Sequence, residues 1–227
     1  ICKEDRLEEL AESVRVMDEI LPPLKESGFS GVTLVITNPV DLVARYLAVK
    51  LGLPWGRILG SGTNLDTARQ VRELSRRTGA AQGSIQGMVL GEHGESQVSC
   101  WSQVSAGGVP IARLMETDPA WRGLDLGELE NAARGAGWGI LCGKGSTEFG
   151  IGNSAAQILQ AIQGDEGRVL PVSIPVDGKD GGLFASLPCV LGKNGVERIL
   201  HPQLDPEEQA RFDASLARME EYWKTIQ

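Results

Sequence analysis

Residues 32–54, VTLVITNPVDLVARYLAVKLGLP, change period partway through. VTLVIT (32–37) is an unbroken β-branched and apolar run without alternation, which predicts a strand covered on both faces, as in a parallel sheet. Asn38-Pro39 breaks it, a helix follows from about Val40 to Leu51, and Gly52 and Pro54 stop the helix. The same alternation extends outward. Upstream, Leu7, Leu10, Val14, Met17, Ile20, Leu21 and Leu24 recur at helical spacing and SGFSG ends the pattern. Downstream, RIL (57–59) predicts a short strand, residues 60–79 a long helix closed by Gly79, and SIQGMVL (84–90) another strand. Helices alternating with apolar strands predict an α/β architecture.

Beyond residue 95 the pattern changes. QVSCWSQVSAGGVPI predicts short strands and turns, and two helical stretches follow, DLGELENAARGAGWGILCGKG and STEFGIGNSAAQILQAIQG. RVLPVSIPV and GGLFASLPCVLGKNGVERIL alternate as antiparallel strands do. An amphipathic helix with Pro206 in its first turn closes the chain.

Composition narrows the function. Among 227 residues, 41% are hydrophobic and 23% charged, the balance of a globular protein. The net charge of −8 argues against a nucleic-acid partner, since phosphate binding needs clustered Lys and Arg. No apolar run approaches the ~20 residues of a membrane span, so no membrane partner is expected. Four scattered cysteines without a CxxC pair, and two histidines, predict reduced thiols in a cytoplasmic protein and no metal site.

One of those histidines is flanked by glycines in LGEHGES (90–96). A histidine can give and take a proton near neutrality, and the glycines permit a sharp bend with room for a ligand. In NLDTAR, Asp66 and Arg69 lie three apart and so share a helix face. Arg69 can clamp a carboxylate with paired hydrogen bonds, and Asp66 can fix the tautomer of His93. A base, its orienting carboxylate and a carboxylate clamp suit oxidation of a hydroxy acid.

TNPVD (37–41), GSGTNLDTAR (60–69), GEHGES (91–96), GKGSTEFGIG (143–152) and SLPCVLGKNGV (186–196) stand in the order and at about the distances found in L-lactate and malate dehydrogenases, which the chain resembles over nearly its whole length. DRLEEL and LKESGFSGV lean toward the L-2-hydroxyisocaproate branch of that family. The resemblance implies an NAD-dependent L-2-hydroxy-acid dehydrogenase, a homodimer or homotetramer, that interconverts 2-hydroxy and 2-oxo acids. It implies the C-terminal half of a Rossmann-type parallel sheet followed by an α+β catalytic domain, divided as 1–60 and 61–227. His93 is then the acid/base, Asp66 its orienting carboxylate and Arg69 the clamp. Arg6 matches a loop arginine that polarises the substrate carbonyl. Asn38 lies near both the reacting carbonyl and the nicotinamide, with Asn38–Pro39 in the cis form. Thr37, Ser61 and Ile151 border the nicotinamide. Thr147, Trp138 and Leu141 border the substrate's side chain, and a wall built from them is apolar and holds no cation.

The family's opening G-x-G-x-x-G after a first strand is missing from these residues. The resemblance implies roughly ninety residues of family sequence upstream of Ile1, judged from domain sizes. The loop residue that separates lactate from malate chemistry falls in that stretch. Malate dehydrogenase is therefore the rival enzyme, and a truncated, non-catalytic oligomerisation module is the rival of another class.

Overall fold

The computed structural model describes residues 9–226. Arg6 and Cys2 lie outside the described residues. The first helix, α1 (Leu10–Glu26), buries Leu10, Met17 and Leu21 and takes Pro22 and Pro23 into its last turns. Strand β1 (Thr33–Val35) leads into α2 (Val40–Leu51), which ends on the left-handed Gly52. Next come β2 (Ile58–Gly60) and α3 (Asn64–Thr78), capped by the left-handed Gly79. Strand β1 is shorter than VTLVIT promised, and Ile36 is 50% exposed. Among the described residues β1 pairs with β2 alone.

The expected strand over 84–90 is two strands in two sheets: β3 (Ile85–Gln86) and β4 (Val89–Leu90). Gly87 separates them at a crowded point, where a Cβ would come 2.8 Å from Val104 Cγ2. Strand β4 pairs with β5 (Val98–Ser99), while β3 joins β6 (Ser105–Ala106) and β7 (Val109–Pro110). A helix the sequence did not announce, α4 (Ile111–Thr117), follows them. Helix α5 (Leu126–Lys144) starts at the Asp125 cap, and α6 (Glu148–Gln163) follows it. The long hairpin of β8 (Arg168–Pro175) and β9 (Phe184–Gly192), then β10 (Gly195–Ile199), leads to α7 (Pro206–Trp223). Helix α7 opens on a reciprocal capping box between Asp205 and Glu208.

The main sheet has the order β1-β2-β8-β9-β10. Strands β1 and β2 are parallel, and β2 meets β8 antiparallel at Gly60–Ser173. The sheet thus runs without interruption across the 60/61 division. One core packs α1, α2 and the end of α7 together, and Arg45 of α2 stacks 4.2 Å over Trp223 while pairing with Glu220 at 2.6 Å. A second core, with Leu59, Leu90, Ile158, Ile174 and Leu191, lies against the sheet. A third joins α3, α4 and α5 through Leu74, Ile111, Trp121 and Leu129.

The turn from β2 into α3 depends on Gly62. Its φ is +52°, and a Cβ there would fall 2.5 Å from Ser186 Oγ and 2.7 Å from Ser173 N. Beside it, Thr63 donates its N–H to Ser186 Oγ at 3.0 Å. Gly62→Ala combines a left-handed backbone with a clash against a buried strand. It is expected to lower stability by about 2–4 kcal/mol, read as a lower urea midpoint with an unchanged m-value.

Candidate active site

Helix α3 carries two of the expected residues on one face. Asp66 is 2% exposed, and its two oxygens are used separately. Oδ1 accepts from Arg69 Nη1 at 3.1 Å and Oδ2 faces His93 Nδ1 at 2.6 Å. Opposite a carboxylate, Nδ1 must carry the hydrogen, which leaves Nε2 as the nitrogen available to a substrate.

His93 reaches this position on a turn whose glycines are sterically required. Gly91 has φ +85° and exchanges backbone hydrogen bonds with Ser186 of β9 at 3.1 and 2.8 Å, which turns the chain out of the sheet. A Cβ at Gly94 would lie 2.5 Å from Glu92 Oε1. The backbone N–H of His93 donates to Asp41 Oδ2 at 2.9 Å, tying the turn to the first turn of α2.

Burial and charge oppose each other here. Burial alone would raise the Asp66 carboxyl, but the charges and hydrogen bonds of His93 and Arg69 outweigh it and hold the group below its usual value. Burial alone would lower His93, yet the Asp66 carboxylate, with help from Asp41, raises it. Burial pushes Asp41 up to about 6.

These groups open on a cavity of about 520 Å³ whose lining includes Asp66, Arg69, His93, Glu95, Arg134 and Trp138. Gly137, on α5, lies against the clamp: a Cβ there would come 3.1 Å from Arg69 Nη2. Trp138 is 41% exposed and borders the cavity, as expected. Leu141, Thr147 and Asn38 are partly buried and do not belong to that lining. The expected cation-free wall is also corrected. Arg134 stands one turn before Trp138 and lines the same space, loosely paired with Glu95 at 3.9 Å.

The residues expected near a nicotinamide lie outside that lining. Thr37 is exposed and Asn38 half-buried just past the carboxyl end of β1, and Asn38–Pro39 is cis. Ser61 follows the carboxyl end of β2 and bonds back to Val35 O at 2.8 Å, while Ile151 is half-buried on α6. The carboxyl ends of parallel strands are where α/β sheets take their ligands, so these residues fit the nicotinamide end of a dinucleotide. Among the described residues, no group of three His, Cys, Asp or Glu is placed to hold a metal ion, and no helix is long and apolar enough to cross a membrane.

Three contributors escaped the sequence reading. Asp41 had a signal, an acid at the start of a helix that is otherwise strongly apolar. Gly137 had one too, because Gly135, Gly137 and Gly139 lie inside a helix, where glycine is costly without a packing reason. Arg134 had none, since an arginine on an amphipathic helix is ordinary.

Residues 63–227 match the family model of the lactate/malate dehydrogenase α/β C-terminal domain. An L-lactate dehydrogenase of Fusobacterium nucleatum is 39% identical over 222 residues, covering 96% of this chain and 70% of the relative. L-lactate dehydrogenase 3 of Bacillus cereus is 38% identical, covering 98% of this chain and 72% of its own length. Among solved structures, the ligand-bound minor L-lactate dehydrogenase of Enterococcus mundtii superposes with a TM-score of 0.89 at 33% identity, over 94% of this chain and 68% of that one. A lactate dehydrogenase from a deep-sea metagenome library of the Medee basin gives the same TM-score at 32% identity, over 92% and 68%. With the family model spanning most of the sequence, and the Asp66–His93–Arg69 cluster within the matched residues, the chain belongs to the lactate/malate dehydrogenase family.

Proposed function

We propose that the chain forms the substrate-binding part and the nicotinamide edge of an NAD-dependent L-2-hydroxy-acid dehydrogenase that acts on lactate and pyruvate. The observation that carries this reading is the Asp66 carboxylate, which holds the His93 ring with one oxygen and the Arg69 guanidinium with the other at the wall of one cavity. Bound NAD supplies the hydride acceptor, and NADH the donor. Arg69 uses its remaining N–H groups to fix the substrate carboxylate through paired, charge-assisted hydrogen bonds. In reduction, His93 Nε2–H protonates the carbonyl oxygen as the hydride reaches carbon; in oxidation, neutral Nε2 takes the hydroxyl proton. Asp66 stabilises the imidazolium and sets its direction. Thr37, Asn38, Ser61 and Ile151 remain the nicotinamide contacts in this reading, Trp138, Leu141 and Thr147 the side-chain border, and Arg6 the carbonyl-polarising group. Residues 61–227 act as the substrate domain. The reading includes a cytoplasmic homodimer or homotetramer, and the apolar side chains that α1 exposes, Val16 and Ile20, suit such an assembly.

In the full-length enzyme, His93→Asn is expected to lower kcat for pyruvate reduction by at least ~10²-fold with NADH affinity nearly unchanged. A variant with wild-type turnover would remove His93 from the mechanism. A wild-type protein that neither binds NADH nor reduces pyruvate would favour the non-catalytic module instead.

Reduction needs protonated His93, so its rate falls as pH rises through the His93 pKa. Asp66 holds that pKa up. Asp66→Asn is therefore expected to move the alkaline limb of the pyruvate-reduction profile to lower pH as well as to slow the enzyme. A limb that stays in place or moves up would contradict the assigned coupling.

Arg134 favours a second reading, malate dehydrogenase, because it puts another guanidinium in the cavity. The two are separated by kcat/KM for pyruvate, 2-oxoisocaproate and oxaloacetate. We expect pyruvate or the branched acid to lead, and Arg134→Leu to reduce oxaloacetate turnover by about tenfold relative to pyruvate, the scale of one charged contact. Oxaloacetate as the best wild-type substrate would establish the malate reading.

A further inference from the structure

Helix α7 meets the His93 turn at the fully buried Ser215. Its hydroxyl accepts the backbone N–H of Glu92 at 3.1 Å and lies 2.9 Å from Ser96 Oγ. Ser96 Oγ is also hydrogen-bonded to the Glu92 carboxylate, at Oε2, and Ser96 N donates to that same oxygen at 3.0 Å. A serine hydroxyl has a single hydrogen. That of Ser96 is committed to the carboxylate, so the bond between the two serines must use the hydrogen of Ser215. The result is a closed ring: Glu92 N–H to Ser215, Ser215 O–H to Ser96, and Ser96 O–H back to Glu92. Rings of this kind polarise each member and strengthen in a low-dielectric setting.

The ring begins at residue 92 and closes at residue 96, so it brackets His93, Gly94 and Glu95 and fixes the separation of the two stems. Local geometry is adapted to it. At Gly91, whose φ of +85° already strains any side chain, a Cβ would stand 3.0 Å from Ser215 Oγ and press on the ring. Arg218, one turn further along α7, places Nε 3.9 Å from Glu92 Oε2, so the same helix face supplies charge as well as the hydroxyl. The core residues Phe212, Met219 and Trp223 hold α7 in register.

We propose that Ser215 is a positioning residue for the acid/base histidine: its hydroxyl joins the two stems of the turn that carries His93, so the C-terminal helix sets the aim of the imidazole. This rests on His93 being the acid/base. Ser215 touches no reacting atom. Loss of the ring lets the turn spread, and small misplacements of a catalytic group are costly in rate.

The test uses the full-length enzyme and the single-turnover rate of NADH oxidation by pyruvate, which reads the chemical step apart from product release. Ser215→Ala is expected to slow that step by about tenfold, while the KM for pyruvate and the Kd for NADH stay within about twofold. Ser215→Thr, which keeps the hydroxyl, is expected to recover most of the rate. Ser96→Ala breaks the same ring from the other side and covers the case in which Ser215→Ala does not fold. The double variant Ser96→Ala/Ser215→Ala is expected to lose no more than the worse single one, because members of one network do not add. A folded Ser215→Ala enzyme that is merely less heat-stable, with a wild-type single-turnover rate, overturns the proposal. So do losses that multiply in the double variant. His93→Asn in the same assay tells the two failures apart: full turnover there removes the acid/base reading itself, whatever Ser215 does.

Discussion

A carboxylate taken out of water costs several kcal/mol unless each oxygen finds a partner. Asp66 satisfies that condition with two partners from different parts of the chain, Arg69 on its own helix and His93 from the turn after β4. The consequences run in both directions. Without the imidazole and the guanidinium, burial would raise the Asp66 carboxyl; without Asp66, burial would lower His93. The rest of the fold can be read as what places these three side chains together. The step of 27 positions from Asp66 to His93 takes in most of α3, the β3–Gly87–β4 break and the left-handed Gly91.

The frame behind this cluster is a sheet of two kinds. The parallel pair β1–β2 delivers chain ends to a ligand crevice, and the antiparallel β8–β9–β10 supplies a rigid back wall. The two kinds meet at Gly60–Ser173, where a Cβ on Gly60 would come 2.9 Å from Ser173 Cβ. Close approach at this seam explains why glycine occupies residues 60 and 62, and why Ser186 can serve both neighbours. Its backbone pairs with Gly91 and its hydroxyl accepts from Thr63. One residue of β9 therefore fixes the start of α3 and the start of the histidine turn relative to each other.

Elements with a strong period or a marked terminus were readable in the sequence. Helix α2 runs over Val40–Leu51 as expected, and the C-terminal helix begins where Pro206 announces it. What was not readable depends on contacts between distant residues. SIQGMVL looks like one strand because nothing local shows that Val104 crowds Gly87 and splits the run between two sheets. Helix α4 has seven residues, too few to establish a period. The Asp66–Arg69–His93 cluster was legible because each residue type is suited to the chemistry and two of them share a helix face. The hydroxyl ring was not, since it closes between residues 119 positions apart and its members are ordinary serines.

The charges around the cavity add a constraint that the motif alone does not contain. Among the described residues its lining holds two guanidinium groups, Arg69 and Arg134, and two carboxylates, Asp66 and Glu95, whose charges balance while His93 is neutral; Arg6, in the role proposed for it, would add one more positive charge. Protonation of His93 adds one positive charge to this lining, which favours a bound carboxylate. In the proposed reduction that proton moves from His93 to the product's hydroxyl, and the carboxylate then faces a lining with one positive charge fewer. Electrostatics alone thus favour binding of the 2-oxo acid to the protonated site and loosen the 2-hydroxy acid once the proton has moved. On this argument Arg134 acts as the counter-charge of Glu95, and the change in charge that a bound carboxylate meets during the proposed reaction comes from the protonation of His93.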